Sequence, residues 1–194
     1  MNVIEVVFVG DSIAKGYTPF VEETIQKRKP QNKVQILFRL GGSSAIVRAR
    51  LNELALQDKP DIVHFNCGLH DLVVDPGKTE VRIPLERYRE NLVAIVQTLK
   101  AETSARLFFA TTTPVIEELH NKGGGLRRYE KDVQRYNHVA ISVMTEQGIE
   151  INDLFECVEQ NGRGDCVGAD GRHMTKFGNQ VLAEKIIEIL PFPH

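Results

Sequence analysis

The chain has 194 residues, a formal net charge of −2, 42% hydrophobic residues and 26% charged residues. That length supports one sizeable hydrophobic core and is read as a single domain over residues 1–194. The near-neutral charge argues against a nucleic-acid footprint, and no run approaches the roughly 18 apolar residues of a membrane span. The cysteines are Cys67, Cys157 and Cys166, an odd number with no CxxC pair. That usage fits a reducing compartment, with a Cys157–Cys166 bridge as the alternative. The N-terminus lacks the basic start and long apolar core of a secretory leader, so a cytoplasmic setting is expected, although a leader already removed would leave no trace. Composition leaves the oligomeric state open.

The first strand is Val6, Val7, Phe8 and Val9, an apolar run stopped at Gly10. Asp11 and Ser12 follow, and Ile13, Ala14 and Lys15 lead towards a helix predicted over 17–29, with Thr18 as N-cap and Pro19 as first helical residue. Phe20, Thr24 and Ile25 share its inner side. Residues 34–39 alternate as a second strand and end at Gly41-Gly42-Ser43-Ser44. A helix over 45–56 is expected to turn Ile46, Ala49, Leu54 and Ala55 inward. The third strand, 62–66, runs out at Cys67-Gly68, followed by Leu69, His70 and Asp71.

A long helix over 85–101 carries the stripe Leu85, Leu92, Ile95, Val96 and Leu99. The fourth strand, 106–110, ends in Thr111-Thr112-Thr113-Pro114. Residues 117–125 are polar, finish in three glycines and read as a mobile loop. Beyond them come a helix over 127–147 with Val133, Tyr136, Val139 and Met144 inward, and a short strand at 149–151. A helical turn and loop occupy 154–168. The closing helix, 175–190, has Phe177, Val181, Leu182, Ile186 and Ile189 on its inner face.

Five strands alternating with helices predict an α/β fold: a three-layer α/β/α sandwich on a five-stranded parallel sheet. The expected order is the flavodoxin-like 2-1-3-4-5. In such a sheet the carboxyl ends of the strands open on one rim. Ser12, Gly42 and His70 follow strands one, two and three, and Asp170 and His173 precede the last helix. These types suit acyl transfer. A serine hydroxyl needs an imidazole to take its proton, the imidazole needs an orienting carboxylate, and the oxyanion needs donors already in place.

GDSI at Gly10–Ile13, GGSSA at Gly41–Ala45, GLHD at Gly68–Asp71 and DGRH at Asp170–His173 together resemble the ordered blocks of the SGNH, or GDSL-type, hydrolases. Thr111–Val115 also resembles that family's fourth-strand segment. The resemblance implies ester hydrolysis through an acyl-enzyme, with Ser12 as nucleophile, His173 as base and Asp170 as its supporting carboxylate. It implies oxyanion donors on the amides of Ser12 and Gly42, with Gly41 as the one-residue alternative. It implies no metal and no organic cofactor. The third block normally carries asparagine where this chain has His70, which donates only in a suitable tautomer and titrates closer to neutral pH. The resemblance leans towards short acyl groups such as acetyl on carbohydrate, acting on a small-molecule or glycan ester. A lysophospholipase or thioesterase for longer chains is the second reading, and a non-catalytic binding module the third.

The remaining candidates have plainer readings. Ser12 can cap its helix, and Asp11 and Asp71 can serve backbone donors rather than a metal. The turn at Gly10–Gly16 misses the spacing of a phosphate-cradling loop. Cys67 packs at a strand end, His64 is structural, and Asn66 braces the rim. His120 and His138 fall in polar segments expected at the surface. Arg127 and Arg128 read as solvated charges, with substrate contact as the alternative. Tyr88 and Tyr136 are amphipathic helix residues.

Overall fold

The computed structural model describes residues 3–28, 30–31 and 33–191. Five strands, β1 (Ile4–Gly10), β2 (Val34–Leu40), β3 (Ile62–Phe65), β4 (Arg106–Ala110) and β5 (Glu150–Asn152), form one sheet in the order β2-β1-β3-β4-β5. Every pairing is parallel, with Val6 beside both Ile36 and Ile62. This is the expected order. β1 lies between β2 and β3, so the chain leaves it in one direction and later proceeds in the other. That reversal opens a crevice at the carboxyl ends of the strands.

The helices are α1 (Ser12–Arg28), α2 (Ser44–Ala49), α3 (Leu85–Glu102), α4 (Glu117–His120), α5 (Glu130–Glu146), α6 (Leu154–Gln160), α7 (Arg163–Cys166) and α8 (Lys176–Ile189). α8 packs against α1, α6 and α7, whereas α3 packs against α2 and α5. Crossovers of fixed hand produce this division, because α1 follows the one connection that runs the other way along the sheet. Val6, Val7, Phe8 and Val9 are buried on both faces of the sheet, as their unbroken apolar run requires.

Several local expectations are corrected. α1 begins at Ser12, and Thr18 and Pro19 lie inside it. Thr18 is buried and its hydroxyl donates to the Ala14 carbonyl at 2.7 Å rather than capping an end. Pro19 and Lys15 are both exposed, so the carbonyl that the proline leaves without a donor is on the wet side. Burial of Ile13, Ala14, Tyr17, Val21 and Ile25 along the other side carries the helix through. The expected end at Lys29 lies outside the described residues.

The helix expected over 45–56 is α2 followed by a π-turn, Asn52–Leu56. Its inner side is Val47, Leu51, Leu54 and Ala55, while Ile46 and Ala49 are exposed. The spacing of four, three and one is the helical phase, and both Ile46 and Ala49 lie off it. Residues 117–125 are not a bare loop: α4 and a 3₁₀ turn, Asn121–Gly123, occupy most of them. In α8, Phe177 is 47% exposed, and the inner face begins with Gly178 and Asn179. Small residues are needed there, since a Cβ on Gly178 would meet the Cys166 carbonyl oxygen at 2.2 Å. Apolar periodicity does not mark such a face.

His64 on β3 is fully buried, its ring 5.1 Å from Phe8 and 6.4 Å from Tyr17, centre to centre. Its Nε2 lies 3.1 Å from the Asn152 side-chain nitrogen. Burial pushes its pKa down to about 3 from an ordinary 6.5. The neutral ring therefore stabilises the fold fully above pH 6.5, and that contribution is lost as pH falls towards 3. A urea-unfolding series from about pH 7 to about pH 4 should give wild type a stability loss steeper than that of His64→Leu by up to about 1.4 kcal/mol per pH unit. Parallel slopes would show that His64 takes no part in acid unfolding.

Candidate active site

β1 delivers Gly10, Asp11 and Ser12 to the rim. A Cβ on Gly10 would stand 2.5 Å from the Ala14 Cβ, so only glycine admits so tight an entry into α1. Asp11, 3% exposed, accepts from the Ile13 amide at 2.9 Å through Oδ1. Asp11 thus serves the first turn, and the Ser12 hydroxyl does not act as its cap. That hydroxyl lies 2.8 Å from His173 Nε2, across 161 positions of sequence.

His173 sits in the loop between α7 and α8. A bridge between Val167 and Met174 closes this loop, and the Gly168 amide donates to the His173 carbonyl at 2.7 Å. Thr175 caps α8 by accepting from the Gly178 amide, and its own amide donates to the Cys166 carbonyl. Asp170 Oδ2 lies 2.5 Å from His173 Nδ1, while Oδ1 accepts from the amides of His173 and Arg172 at 3.0 and 3.2 Å. Partial burial pushes the Asp170 carboxyl upward. The two amides and the His173 ring outweigh it and hold the pKa at about 2. An ionised Asp170 only accepts, so Nδ1 carries the ring proton and Nε2 is left as the acceptor facing the Ser12 hydroxyl.

On β2's side of the crevice the Gly41 amide is spent on the Gly10 carbonyl at 2.7 Å. That removes Gly41 as a free donor and favours Gly42, which is buried with φ +141°. Ile46 covers it: a Cβ there would meet Ile46 Cδ1 at 3.3 Å. The Ser44 amide donates to both carboxylate oxygens of Asp71 at 2.9 and 3.0 Å, and its hydroxyl also donates to Asp71. Asn91 Nδ2 donates to the Ser44 hydroxyl at 2.9 Å. These bonds tie the Gly42 turn to the loop that carries His70. Burial raises the Asp71 pKa to about 6 against the opposing pull of the Ser44 donors.

His70 is 36% exposed, with Nε2 3.8 Å from Asp11 Oδ2, beyond hydrogen-bond reach. Burial lowers its pKa; Asp11 opposes this, and Arg128, Arg172 and Arg82 add to it. The ring is held towards the neutral form, in which one nitrogen donates and the other accepts. Among the described residues no group of three or more His, Cys, Asp or Glu converges as a metal-ligand set.

Three side chains depart from their sequence reading or were missed. Arg128 is not a solvated charge but fully buried, and His120 is half-buried against it. Burial, then Arg172, lowers the Arg128 pKa to about 10. An arginine next to a glycine run gives no burial signal in sequence. Asn91 did leave one: it interrupts the apolar stripe of α3 between Tyr88 and Leu92, and it is buried there. Cys67, Cys157 and Cys166 are buried free thiols, and Asn66 braces the rim by donating to the Ala110 carbonyl at 2.7 Å.

This is an α/β chain with a serine, a histidine and an aspartate joined in line at the sheet's carboxyl rim. Residues 8–181 match the model of the GDSL-like Lipase/Acylhydrolase family, and the chain belongs to that family. It is 27% identical to the human isoamyl acetate-hydrolyzing esterase 1 homolog over 132 residues, which is 64% of this chain and 53% of that protein. It is 29% identical to a GDSL esterase/lipase of Arabidopsis thaliana over 144 residues, 69% of this chain and 59% of that one. The chain thus spans between half and three-fifths of these curated relatives. The fold matches a lipase/acylhydrolase from Enterococcus faecalis with a TM-score of 0.78 at 21% identity, covering 95% of this chain and 94% of that one. An acetylxylan esterase from Geobacillus stearothermophilus gives 0.78 at 19% identity, covering 98% and 95%. Among the described residues no helix is long and apolar enough to cross a membrane.

The Ser44–Asp71 brace makes a signed prediction. Ser44→Ala deprives a buried carboxylate of its hydroxyl donor and should lower unfolding free energy by about 1–3 kcal/mol. Only the ionised Asp71 needs that donor, so the loss measured by urea unfolding should be larger at about pH 8 than at about pH 5. An equal loss at both pH values would mean that the hydroxyl serves Asn91 alone.

Proposed function

We propose that this protein is a serine ester hydrolase that works through an acyl-enzyme. One observation carries the reading: the line from Ser12 Oγ to His173 Nε2 at 2.8 Å and from His173 Nδ1 to Asp170 at 2.5 Å. Ser12 Oγ attacks the ester carbonyl carbon while its proton passes to Nε2. The carbonyl oxygen takes the negative charge. The amides of Ser12 and Gly42 and an N–H of His70 donate to it. The C–O bond to the alcohol then breaks, and the alcohol leaves with the proton from Nε2. Water, activated by the same imidazole, attacks the acyl-serine and releases the acid. Asp170 holds the ring in the required tautomer and stabilises the imidazolium. No step calls on a metal or organic cofactor.

The substrate is proposed to be a small ester carrying a short acyl group, acetyl on a carbohydrate first. The names of a curated relative and a structural neighbour support the acyl group, since isoamyl acetate and acetyl xylan are both acetate esters.

A fluorophosphonate probe should label the wild-type protein between about pH 6 and pH 9, and Ser12→Ala should take up none. Absence of labelling on folded wild type would overturn the enzyme reading and favour a binding module. With acyl esters of increasing length, kcat/KM should be greatest for acetyl. A maximum at octanoyl or beyond would replace this substrate with a lipid-like one. His70→Asn should keep or raise kcat on a small acetyl ester, because an amide donates without titrating. A fall to the level of Ser12→Ala would give His70 some other indispensable role.

A further inference from the structure

The loop that carries Asp170 and His173 is open to solvent on its outer side, with those side chains 48% and 39% exposed. Its inner side leans on α4. The Ile116 amide donates to the Gly171 carbonyl at 2.8 Å. Gly171 has φ +73°, and a Cβ there would meet the Ile116 carbonyl oxygen and the His120 amide nitrogen at 2.5 Å each. His120 Nδ1 lies 3.3 Å from the Asp170 carbonyl oxygen. The wall behind the loop is therefore a four-residue helix, and one turn of helix does not hold its shape unaided.

Arg128 is what holds it. Its backbone amide and carbonyl both pair with the Asn121 side chain, at 3.0 and 2.9 Å. Its Nε donates to the carbonyl of Leu69, the residue before His70, at 2.8 Å, and its Nη1 donates to His120 Nε2 at 2.9 Å. A guanidinium has donors only, so His120 Nε2 must accept. The ring proton is then on Nδ1, where it donates to the Asp170 carbonyl. Burial and the adjacent Arg128 lower the His120 pKa and favour this neutral ring; Arg172 adds to that, and Asp170 opposes it. Among the described residues no carboxylate oxygen lies within 4.0 Å of the Arg128 side chain, and its Nη2 has no partner. Asp11 and Asp170 attract it only from a distance, and a fully buried cation with no directly paired counter-ion is costly.

We propose that Arg128 and His120 are positioning residues: the line Leu69–Arg128–His120–Asp170 fixes the loop bearing Asp170 and His173 in register with the loop bearing His70. One guanidinium thereby sets the distance between the proton-relay side of the site and its oxyanion side. The inference rests on the reading of Ser12, His173 and Asp170 given above.

The test uses His120→Phe, which keeps a ring and removes both of its hydrogen bonds, and Arg128→Lys, which keeps the charge but loses the fork that spans Leu69 and His120. Each should lower kcat on a small acetyl ester about 10- to 100-fold with KM unchanged. The acidic limb of kcat/KM should also move to lower pH, because a loosened Asp170 supports the His173 imidazolium less well. A smaller folded fraction scales that profile without moving it. The double variant should cost no more than the worse single, since both act in one line. His120→Gln, which restores an acceptor towards Arg128, should recover part of kcat. Wild-type kcat and an unmoved limb in folded His120→Phe would overturn the proposal while fluorophosphonate labelling of wild type kept the enzyme reading. Full additivity in the double variant would overturn it too, by making Arg128 act apart from His120.

Discussion

The 2.8 Å contact between Ser12 Oγ and His173 Nε2 joins residues 161 positions apart, and it is too weak to make the fold that creates it. A hydrogen bond of this kind contributes a net ~0.5–1.5 kcal/mol, whereas fixing one residue's backbone costs ~1–2 kcal/mol. The alignment must be imposed from outside. The parallel sheet does most of this, because its strands all end on one rim and β1 stands where the chain reverses direction. Burial of β1 and β3 on both faces holds that rim in place.

The sheet brings the loops to one rim, and buried polar groups tie them to one another there. Asp71 gathers two donors from Ser44, its amide and its hydroxyl, and joins the Gly42 turn to the His70 loop. Arg128 spans Leu69 and His120 on the other flank. Glycines set the closest approaches. A Cβ on Gly68, whose φ is +148°, would stand 2.4 Å from the Thr112 hydroxyl. Buried polar atoms such as the Arg128 guanidinium and the Asp71 carboxylate are poor contributors to stability. Their value lies in direction: a hydrogen bond fixes an angle that apolar contact leaves free. The site thus has a rigid frame of apolar strands and a set of polar struts that tune its geometry.

The protonation states follow from the same arrangement. Asp170 is solvated enough, and has enough amide donors, to remain an anion down to about pH 2. Asp71, closed off from water, rises to about 6 although the Ser44 donors also serve it. Two aspartates of one rim are thus set far apart by environment, and only the low one faces the imidazole. His70 and His120 are both held towards neutrality by burial, with the nearby arginines adding to it.

Much of this was legible in the chain. Apolar runs ending at Gly10, Cys67 and Thr111 located the strands, and their alternation with helices gave a parallel sheet covered on both faces, for which the observed order is one of two common ones. The blocks around Ser12, Gly42, His70 and Asp170–His173 identified the family, since each follows a strand or precedes the last helix. Helix phase was less secure wherever small or polar residues face inward, as at Gly178, Asn179 and Asn91. What only the tertiary structure decided was the partner of each polar side chain: Arg128 under the rim rather than on the surface, Ser44 on Asp71, Gly41 on Gly10 and His120 on Asp170. Periodicity records which face of an element is apolar. It carries no information on which distant donor meets which acceptor, because that pairing depends on loop paths and burial that arise only when the layers pack.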